Sequence, residues 1–272
     1  MRTQYEIGVI GAGNAAEGIV HGVLRQSVLL EDRIIASDPN PDRRELFKRR
    51  FSIAVTDDNC QVVKDSYILL LCVKPQQYRD CVREWSNLVR EDHLIVSIMA
   101  GVSTRSLEEC CPHIKARVVR AMPNLASHVG AGMAGVCPGR YASEADLLRA
   151  QRIFDAGGKS ICLEDEGLMD AVTAVSGSGP AYYYFFTEAI MEAAKRIGLT
   201  PQHANVLAKQ TALGAARMML EAGETPDVLR QKVTSPGGTT AAALKSFADS
   251  KVFDDIVAGV EAAFRRSREL GS

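Results

Sequence analysis

"YEIGVIGAGNAAEGIV", residues 5–20, is the stretch most informative about the fold, because an apolar run leads through glycines directly into helical sequence. Residues 5–10 predict a buried strand, and a helix is predicted from Asn14 onward. A G-x-G-x-x-A motif lies at their junction. Such glycines allow a tight turn and close approach of a pyrophosphate, whose charge the amides of the helix start can bind. The motif favours a dinucleotide site over a purely structural turn, with these expected contacts: Gly11, Ala12, Gly13, Asn14 and Ala15.

Strands and helices alternate through the rest of the first half. Further strands are predicted at residues 33–37, 52–55, 67–73, 93–98 and 116–122, and helices at 42–51, 77–88 and near Leu107. Continuous apolar strands separated by amphipathic helices indicate a parallel sheet that is covered on both faces. We therefore predict an α/β fold with an N-terminal Rossmann-type, doubly wound parallel sheet.

The character of the sequence changes after "SICLEDEG", where strands give way to alanine-rich helices, predicted at residues 180–197, 201–221, 239–248 and 252–270. We accordingly predict a dinucleotide-binding domain at 1–164 and an all-α domain at 165–272. Several of these helices are apolar on more than one face, which a small helical domain cannot bury by itself. A subunit interface is expected, giving a homodimer or a higher homo-oligomer built from dimers.

Composition limits the range of partners. The 272 residues carry a net charge of −1 without long basic or acidic runs, which gives no support for binding of nucleic acid or a membrane surface. The most apolar strings, such as residues 67–73, are far shorter than the roughly 20 residues of a membrane helix. A strand begins almost at the amino terminus and leaves no room for a signal peptide. We expect a cytoplasmic protein whose partner is a small molecule.

The seven cysteines and five histidines form no pattern that is typical of metal binding. The number of cysteines is odd, and neither a two-residue spacing nor a histidine pair accompanies them. Cys72 and Cys162 lie in predicted strands, where a free thiol behaves as a small hydrophobe. We predict reduced thiols and no metal site, and no histidine falls in a motif that would make it a catalytic acid.

A carboxylate follows the second predicted strand. Asp38 stands about 20 residues beyond the glycine motif, where an acidic side chain meets the adenosine ribose in dinucleotide-binding folds. A carboxylate accepts hydrogen bonds from free ribose hydroxyls and repels a 2′-phosphate, which favours NADH over NADPH. Two alternatives stay open: Asp38 caps the next helix, or Arg43 and Arg44 bind a phosphate instead.

Other candidates follow the ends of the remaining strands, because ligands of open α/β sheets lie outside the carboxyl ends of the strands. The residues expected along the path of the cofactor are Asn59, Val73, Lys74, Pro75, Ala100 and Gly101. For Asn59, capping of the following helix is an equal alternative. For Lys74, a solvated loop position is the alternative.

A second glycine turn, "SPGGTT" at residues 235–240, precedes an alanine-rich helix late in the chain. Its proline restricts the backbone, its glycines permit close approach of another group, and its threonines supply hydroxyls at the first helical turn. Such a helix start can hold a carboxylate. A tightly capped helix without a ligand explains the same residues.

Several motifs together carry a family resemblance. "IGAGN", "CVKP", "MPN", "AVSGSGPAYYYFF" and "SPGGTT" follow one another in the order of the pyrroline-5-carboxylate reductases, and the chain resembles that family along nearly its whole length. The resemblance implies reduction of 1-pyrroline-5-carboxylate to L-proline with NADPH or NADH, the last step of proline biosynthesis. It also implies a Rossmann domain followed by a helical dimerisation domain.

The resemblance assigns roles to individual residues. Thr240 would place its hydroxyl near the ring nitrogen of this cyclic imino acid, and Glu166 matches an acidic position near the ring amine, so these two are the catalytic candidates. Members that use NADPH often carry serine where this chain has Asp38, a departure that again favours NADH. The substrate carboxylate would be bound by the late glycine turn, through Ser235, Gly237, Gly238, Thr239 and Thr240.

Two other functions fit parts of the sequence. A hydroxyacid dehydrogenase of the same two-domain plan would also show the glycine motif and a helical dimer domain. It should carry a catalytic lysine beside glycine on the long helix, whereas Lys195 lies near the end of that helix beside Glu192 and Arg196. A non-enzymatic redox sensor that binds a dinucleotide is the alternative from another class.

Overall fold

An eight-stranded sheet organises the first part of the protein. The structure is a computed structural model and describes residues 4–271. The strands are β1 Tyr5–Ile10, β2 Ile34–Ser37, β3 Ala54–Thr56, β4 Ser66–Leu71, β5 Leu94–Ser97, β6 Arg117–Pro123, β7 Gly132–Pro138 and β8 Gly158–Cys162. They are ordered β3-β2-β1-β4-β5-β6-β7-β8, so the first six follow the Rossmann order 3-2-1-4-5-6.

Helices lie between the strands and make up the chain beyond them. The first group is α1 Asn14–Arg25, α2 Pro41–Phe51, α3 Asn59–Asp65, α4 Tyr78–Trp85, α5 Thr104–Glu108 and α6 Glu144–Asp155. The second group is α7 Met169–Val172, α8 Gly179–Arg196, α9 Pro201–Glu221, α10 Pro226–Lys232, α11 Thr239–Asp249 and α12 Val252–Gly271. A π-helical turn, Thr173–Gly177, joins α7 to α8. Of the five helices from α8 to α12, the sequence predicted all except the short α10.

Apolar side chains fill two clusters, one on each face of the sheet. Val9 packs in the cluster of Phe47, whereas its neighbour Ile10 packs in the cluster of Trp85, and all four are fully buried. Successive side chains of a strand point to opposite faces, so a strand that is covered on both faces is apolar throughout. This accounts for the continuous apolar runs of the sequence.

The glycine loop lies at the point where the strand order reverses. β1 pairs in parallel with β2 and with β4, and its last residue, Ile10, lies opposite both Ser37 and Leu71. The connections from β1 and β4 lead to opposite sides of the sheet, which opens a crevice at their carboxyl ends. The prediction of a doubly wound Rossmann-type sheet is confirmed.

The sheet is mostly, not wholly, parallel, because β7 runs antiparallel to β6. β7 was not predicted as a strand. Its sequence, "GMAGVCP", contains two glycines and ends in proline, residues that are depleted in strands. Pairing with β6 on one side and β8 on the other holds it in the sheet.

The chain divides into two compact units that differ from the predicted domains of 1–164 and 165–272. The first unit runs to Ser178 and takes in the stretch from Ala263 onward, and the second is Gly179–Ala262. The end of α12 belongs to the first unit because Ser267 Oγ donates a 2.6 Å hydrogen bond to Asp170 Oδ1. Compactness therefore places the division at the start of α8.

The second unit is a helical assembly in which α8 packs against α9. Large apolar side chains of these helices stay exposed, including Tyr183, Phe185, Leu207 and Leu220. None of the helices within residues 4–271 combines the length and the apolar character needed to cross a bilayer.

Candidate dinucleotide and substrate sites

The glycine loop follows β1 without a gap and is tightly held there. Gly11 has a φ of +95°, and its amide donates to Ser37 O at 2.9 Å. A Cβ on this residue would lie 2.9 Å from the carbonyl carbon and oxygen of Cys72. Gly11 therefore lets the loop pass against the end of β4, as the first glycine of the motif must.

The next glycine faces open space. Gly13 is the N-cap of α1, and a Cβ placed on it would meet no atom of the described residues within 4 Å. The amides of the first helical turn, from Asn14 onward, have no intrahelical acceptor, which makes this end of α1 suited to an anion. The residues present thus fit the pyrophosphate of a dinucleotide.

The Asp38 carboxylate lies against the same loop. Its Oδ2 accepts from the amide of Ala12 at 2.8 Å, and its Oδ1 accepts from the amide of Asn40 at 2.9 Å. The N-cap of α2 is Asn40, whose side chain accepts from Asp42 N, so Asp38 is not the cap of that helix. A carboxylate has about four lone-pair sites, which leaves capacity for ribose hydroxyls.

The two arginines that follow Asp38 already have protein partners. Arg43 Nε donates to Ala12 O at 2.6 Å, and its Nη2 donates to Glu17 Oε2 at 2.8 Å. Arg44 Nη1 donates to the carbonyl of Asp38 at 2.7 Å and to that of the next residue at 2.9 Å. Both guanidinium groups thus support the loops around the glycine motif.

Asn59 begins α3 beside the end of β2. Ser37 Oγ donates to Asn59 Oδ1 at 2.7 Å, and the Asn59 amide nitrogen lies 3.5 Å from Glu84 Oε2. The N-cap of α3 is Asp58, whose side chain accepts from Cys60 N. Capping of α3 is therefore carried out by the preceding residue, and Asn59 is oriented across the crevice by Ser37.

The remaining cofactor candidates follow β4 and β5. Val73 and Pro75 are partly buried, whereas Lys74 is exposed. Ala100 and Gly101 line an open cavity of about 190 Å³ within the first unit, together with side chains of the π-helical turn and α12: Thr173, Ser178, Ala263, Arg266, Ser267 and Leu270. Burial raises the pKa of Cys72, between these segments and the glycine loop, so its thiol stays uncharged.

Gly101 has a structural reason to be glycine in addition to its predicted place beside the cofactor. Its φ is +73°, and a Cβ would lie 2.8 Å from the carbonyl oxygen of Leu270. The end of α12 therefore approaches this turn too closely for any side chain.

Glu166 is held inside the first unit by three donors. Its carboxylate accepts from the amide of Thr104 at 2.9 Å, from the Thr104 hydroxyl at 2.6 Å and from Arg120 Nη1 at 3.0 Å. Arg120 is buried, so Glu166 and Arg120 form a partly buried ion pair. Through Thr104 on one side and Arg120 on the other, Glu166 links α5 to β6. These contacts use three of the acceptor sites of Glu166, and its place near a ring amine stays a prediction.

The late glycine turn lies in the second unit. Gly237 has a φ of +72°, and Gly238 donates its amide to Ser235 O at 3.0 Å before serving as the N-cap of α11. Ser235 and Thr239 are exposed, and Thr240 is half-buried in the first turn of α11. Because the N-cap is glycine, it offers no side-chain acceptor to the amides of this helix start.

Sequence reasoning missed the role of Asn124 in the "MPN" motif. Its Nδ2 donates to Ser176 O at 2.9 Å, and its Oδ1 accepts from Ala126 N and Met133 N, each at 3.2 Å. The side chain thereby ties the end of β6 to the π-helical turn, a distortion that is frequent at functional sites. The "AVSGSG" motif that forms this turn was the available signal.

A Rossmann-type sheet with an open glycine loop at its switch point is typical of proteins that bind a dinucleotide, the class to which many oxidoreductases belong. Residues 6–101 match a family model described as "NADP oxidoreductase coenzyme F420-dependent", and residues 166–270 match one described as "Pyrroline-5-carboxylate reductase dimerisation". The chain is 39% identical to a pyrroline-5-carboxylate reductase of Pseudomonas aeruginosa, over 97% of this chain and 96% of that protein. It belongs to the pyrroline-5-carboxylate reductase family, as its motifs predicted, and is an oxidoreductase that uses a nicotinamide dinucleotide.

Further relatives extend the likeness to plants and to solved structures. A pyrroline-5-carboxylate reductase of Pisum sativum is 39% identical over 98% of this chain and 96% of that protein. A solved pyrroline-5-carboxylate reductase from Coxiella burnetii has a TM-score of 0.92 at 35% identity and covers 99% of this chain and 100% of its own. A pyrroline carboxylate reductase from Plasmodium falciparum, solved with NADP bound, has a TM-score of 0.88 at 25% identity, covering 99% of this chain and 100% of that one.

The two-domain plan also occurs outside the family. A prephenate dehydrogenase from Aquifex aeolicus has a TM-score of 0.52 at 14% identity, covering 97% of this chain and 99% of its own. At this identity the likeness concerns the fold alone.

Proposed function

We propose that the protein reduces 1-pyrroline-5-carboxylate to L-proline with a reduced nicotinamide dinucleotide. The observation that carries the proposal is a pair of helix starts, α1 and α11, each with glycine as its N-cap, Gly13 and Gly238. Such starts leave amides open to an anion. One suits a pyrophosphate and the other a carboxylate, the two anionic groups that this reaction must bind. The likeness to named reductases along the whole chain supports the same reaction.

The proposed cofactor site belongs to the first unit. The amides of Gly13, Asn14 and Ala15 would bind the pyrophosphate, and the rest of the dinucleotide would follow Asn59, Val73, Lys74, Pro75, Ala100 and Gly101. When bound, this cofactor supplies the hydride. The part of the protein is to hold it in one orientation at the carboxyl ends of the strands, with water excluded.

The proposed substrate site is the late glycine turn of the second unit. The amides of Gly238 and Thr239 would bind the substrate carboxylate, beside Ser235 and Gly237. A cyclic imine that is protonated at nitrogen is already electrophilic, so positioning contributes more than acid–base chemistry. Thr240 Oγ1 would accept the N–H of the protonated ring and hold that proton in place. This assignment makes Thr240 the catalytic residue of the turn.

Glu166 takes a different part in the proposal. Its three hydrogen bonds to Thr104 and Arg120 leave it as the link between α5 and β6. We therefore assign Glu166 a positioning role in addition to its predicted place near the ring amine: it fixes the segment that follows Ala100 and Gly101.

Cofactor preference follows from Asp38 in this proposal. Its carboxylate would accept hydrogen bonds from the ribose hydroxyls of NADH and repel the 2′-phosphate of NADPH. Asp38→Ser should raise the ratio of kcat/KM for NADPH to that for NADH by about tenfold or more, since each factor of ten corresponds to about 1.4 kcal/mol. An unchanged ratio would mean that Asp38 serves only to hold the glycine loop.

Copies of the chain would assemble through residues 166–270 as a homodimer in the cytoplasm. The match of these residues to a dimerisation model supports the assembly. So do the exposed large apolar side chains of α8 and α9, because contiguous exposed apolar surface marks an interaction site.

The experiment that tests the function is a direct assay. Purified protein is mixed with NADH or NADPH and the cyclic imine, and loss of the reduced cofactor is followed together with formation of proline. Turnover that requires the imine supports the proposal. A parallel assay supplies a hydroxyacid with NAD+ or NADP+, and reduction of that oxidised cofactor without any imine reduction would support the dehydrogenase alternative. Dinucleotide binding without turnover in either assay would support the redox-sensor alternative.

A further inference from the structure

A buried carboxylate beside the glycine loop has two arginine partners. Glu17 lies in the first turn of α1, and its side chain is only 10% exposed. Its Oε2 accepts from Arg43 Nη2 at 2.8 Å, and its Oε1 pairs with Arg50 Nη1. A carboxylate in this position would repel a neighbouring pyrophosphate if it stood alone. Two guanidinium groups more than offset its charge.

Arg43 is fixed in one position by further contacts. Its Nε donates to Ala12 O at 2.6 Å, and its guanidinium lies over the ring of Phe47, 5.6 Å from the centroid. Phe47 is fully buried, so this ring is a fixed surface. The arginine is therefore held toward α1 and the glycine loop by contacts with three different residues.

The peptide groups of Ala12 are held from both sides. Asp38 Oδ2 accepts from the amide nitrogen of Ala12, and Arg43 donates to its carbonyl oxygen. Asp38 would repel a 2′-phosphate and Arg43 would attract one. Both side chains thus bind the backbone of the same loop residue, Ala12. Asp38 keeps acceptor capacity for ribose hydroxyls. One of the two terminal nitrogens of Arg43, Nη2, already donates to Glu17 Oε2.

We propose that Glu17 is a positioning residue for cofactor specificity: by binding Arg43, it withholds this arginine from a 2′-phosphate and leaves Asp38 to select the free 2′-hydroxyl of NADH. The proposal rests on the proposed function in so far as the site binds a nicotinamide dinucleotide. Arg50 balances the buried charge of Glu17. Discrimination against NADPH is then set by a residue of α1 that does not contact the ribose.

The test compares dissociation constants of NADH and NADPH, measured by fluorescence titration without the imine, for the unaltered protein and for Glu17→Gln. Release of Arg43 should lower the ratio of Kd for NADPH to Kd for NADH about tenfold, because a charge-assisted hydrogen bond to phosphate becomes available. The matched control is Glu6→Gln, which removes a carboxylate paired with Arg33 at 3.5 Å on a more exposed surface. In Glu6→Gln, the ratio of Kd for NADPH to Kd for NADH should equal that of the unaltered protein.

A second variant protects the test against a folding defect. The double substitution Glu17→Gln with Arg50→Gln removes one charge of each sign and still frees Arg43, so it should show the same shift. Arg43→Gln should weaken both cofactors by a similar factor, because it loosens the loop at Ala12. An unchanged ratio in both Glu17 variants would overturn the proposal, and so would an Arg43→Gln variant that loses affinity for NADPH alone.

The outcome is separable from that of the proposed function. A shifted Kd ratio without imine reduction would count against the reaction and leave the role of Glu17 standing. Imine reduction with an unshifted ratio would count against the role of Glu17 alone.

Discussion

The two compact units differ in where their side chains find partners. In the first unit, large side chains such as Phe47 and Trp85 are fully buried in clusters on either face of the sheet. In the second, Phe185 is 75% exposed and Leu220 is 77% exposed. The first unit completes its core within one chain. The second presents apolar surface that only association can remove from water.

Charged groups follow the same division. The first unit contains three carboxylates that are largely shielded from solvent and that each bind an arginine: Glu17, Asp146 and Glu166. In the second unit, pairs such as Glu192 with Arg196 lie one helical turn apart on the surface. Exposed pairs of this kind contribute little to stability, because water and salt screen their charges. Contacts within one chain thus stabilise the first unit, whereas the second unit depends on association to cover its apolar surface.

The largest expected effect comes from charging the exposed face of α8. Phe185→Glu should abolish the dimer, because a buried unpaired carboxylate costs several kcal/mol and the apolar area around it is no longer covered. Sedimentation and the concentration dependence of Tm measure the change. Leu148→Glu is the matched control, since Leu148 is a 54% exposed apolar residue on a helix of the first unit. A folded monomer of the unaltered chain at micromolar concentration would contradict this interpretation of the second unit.

Removal of a buried partner in the first unit should rank next. Glu166→Ala leaves Arg120 buried without its counter-charge and should lower the free energy of unfolding by about 3 kcal/mol. Urea unfolding at neutral pH gives the value. Glu192→Ala, the control in the second unit, should change the free energy of unfolding far less, because its ion pairs are exposed to solvent. If Glu166→Ala and Glu192→Ala lower the free energy of unfolding equally, the ion pairs of the first unit are no more important for stability than those of the second.

The stability of the first unit should also depend on pH. Burial, aided by the charge of Arg90, lowers the pKa of His93 from 6.5 to about 4. Protonation of His93 therefore favours the unfolded chain: its contribution is fully present above pH 6.5 and is lost as the pH falls toward 4. The loss amounts to about 2 to 3 kcal/mol.

The His93 prediction is checked by urea unfolding at pH 7 and at pH 4.5. His93 Nδ1 accepts from the amide of Arg90 at 3.0 Å, and His93→Asn keeps an acceptor there without the titrating ring. This variant should show a flatter dependence of stability on pH. Parallel curves for the two proteins would assign the acid sensitivity to other groups.

The smallest expected effect concerns function in the second unit. Thr240→Ala should lower kcat/KM for the imine by an amount equal to about 1 to 3 kcal/mol, with little change in the affinity for the cofactor or in Tm. Thr200→Ala is the contrasting variant, because Thr200 caps α9 by accepting from His203 N. It should lower stability by about 1 kcal/mol and leave kcat/KM intact. If Thr240→Ala behaves like Thr200→Ala, the turn is a cap and no binding site.

Prediction from the sequence succeeded where the signal is local. Residues 5–10 were predicted as a strand and form β1, and the positive φ of Gly11 agrees with the tight turn expected of its motif. It failed at β7, because the glycines and proline of that segment outweigh its apolar residues in any local pattern. A neighbour on each side, β6 and β8, supplies the pairing that the segment does not specify by itself.

The candidate site was predicted as a set of positions, not as a set of contacts. The sequence placed Asp38 at the end of a strand but could not show that it accepts from Ala12, 26 residues earlier. It offered Glu166 as a catalytic group without its partner Arg120, which lies 46 residues away. Both side chains are polar and stand at element boundaries, where capping, ligand binding and ion pairing share the same residue types.

By itself, the sequence determined the alternation of strands and helices, the glycine loop, the late glycine turn and the family. Tertiary structure alone decided the antiparallel place of β7, the docking of the end of α12 against Gly101, and the partners of Asp38, Arg43 and Glu166. Periodicity and turn chemistry act between residues a few positions apart, so they are visible in the chain as written. A buried charge takes whichever partner the packing brings to it, and that choice is made only when distant segments meet.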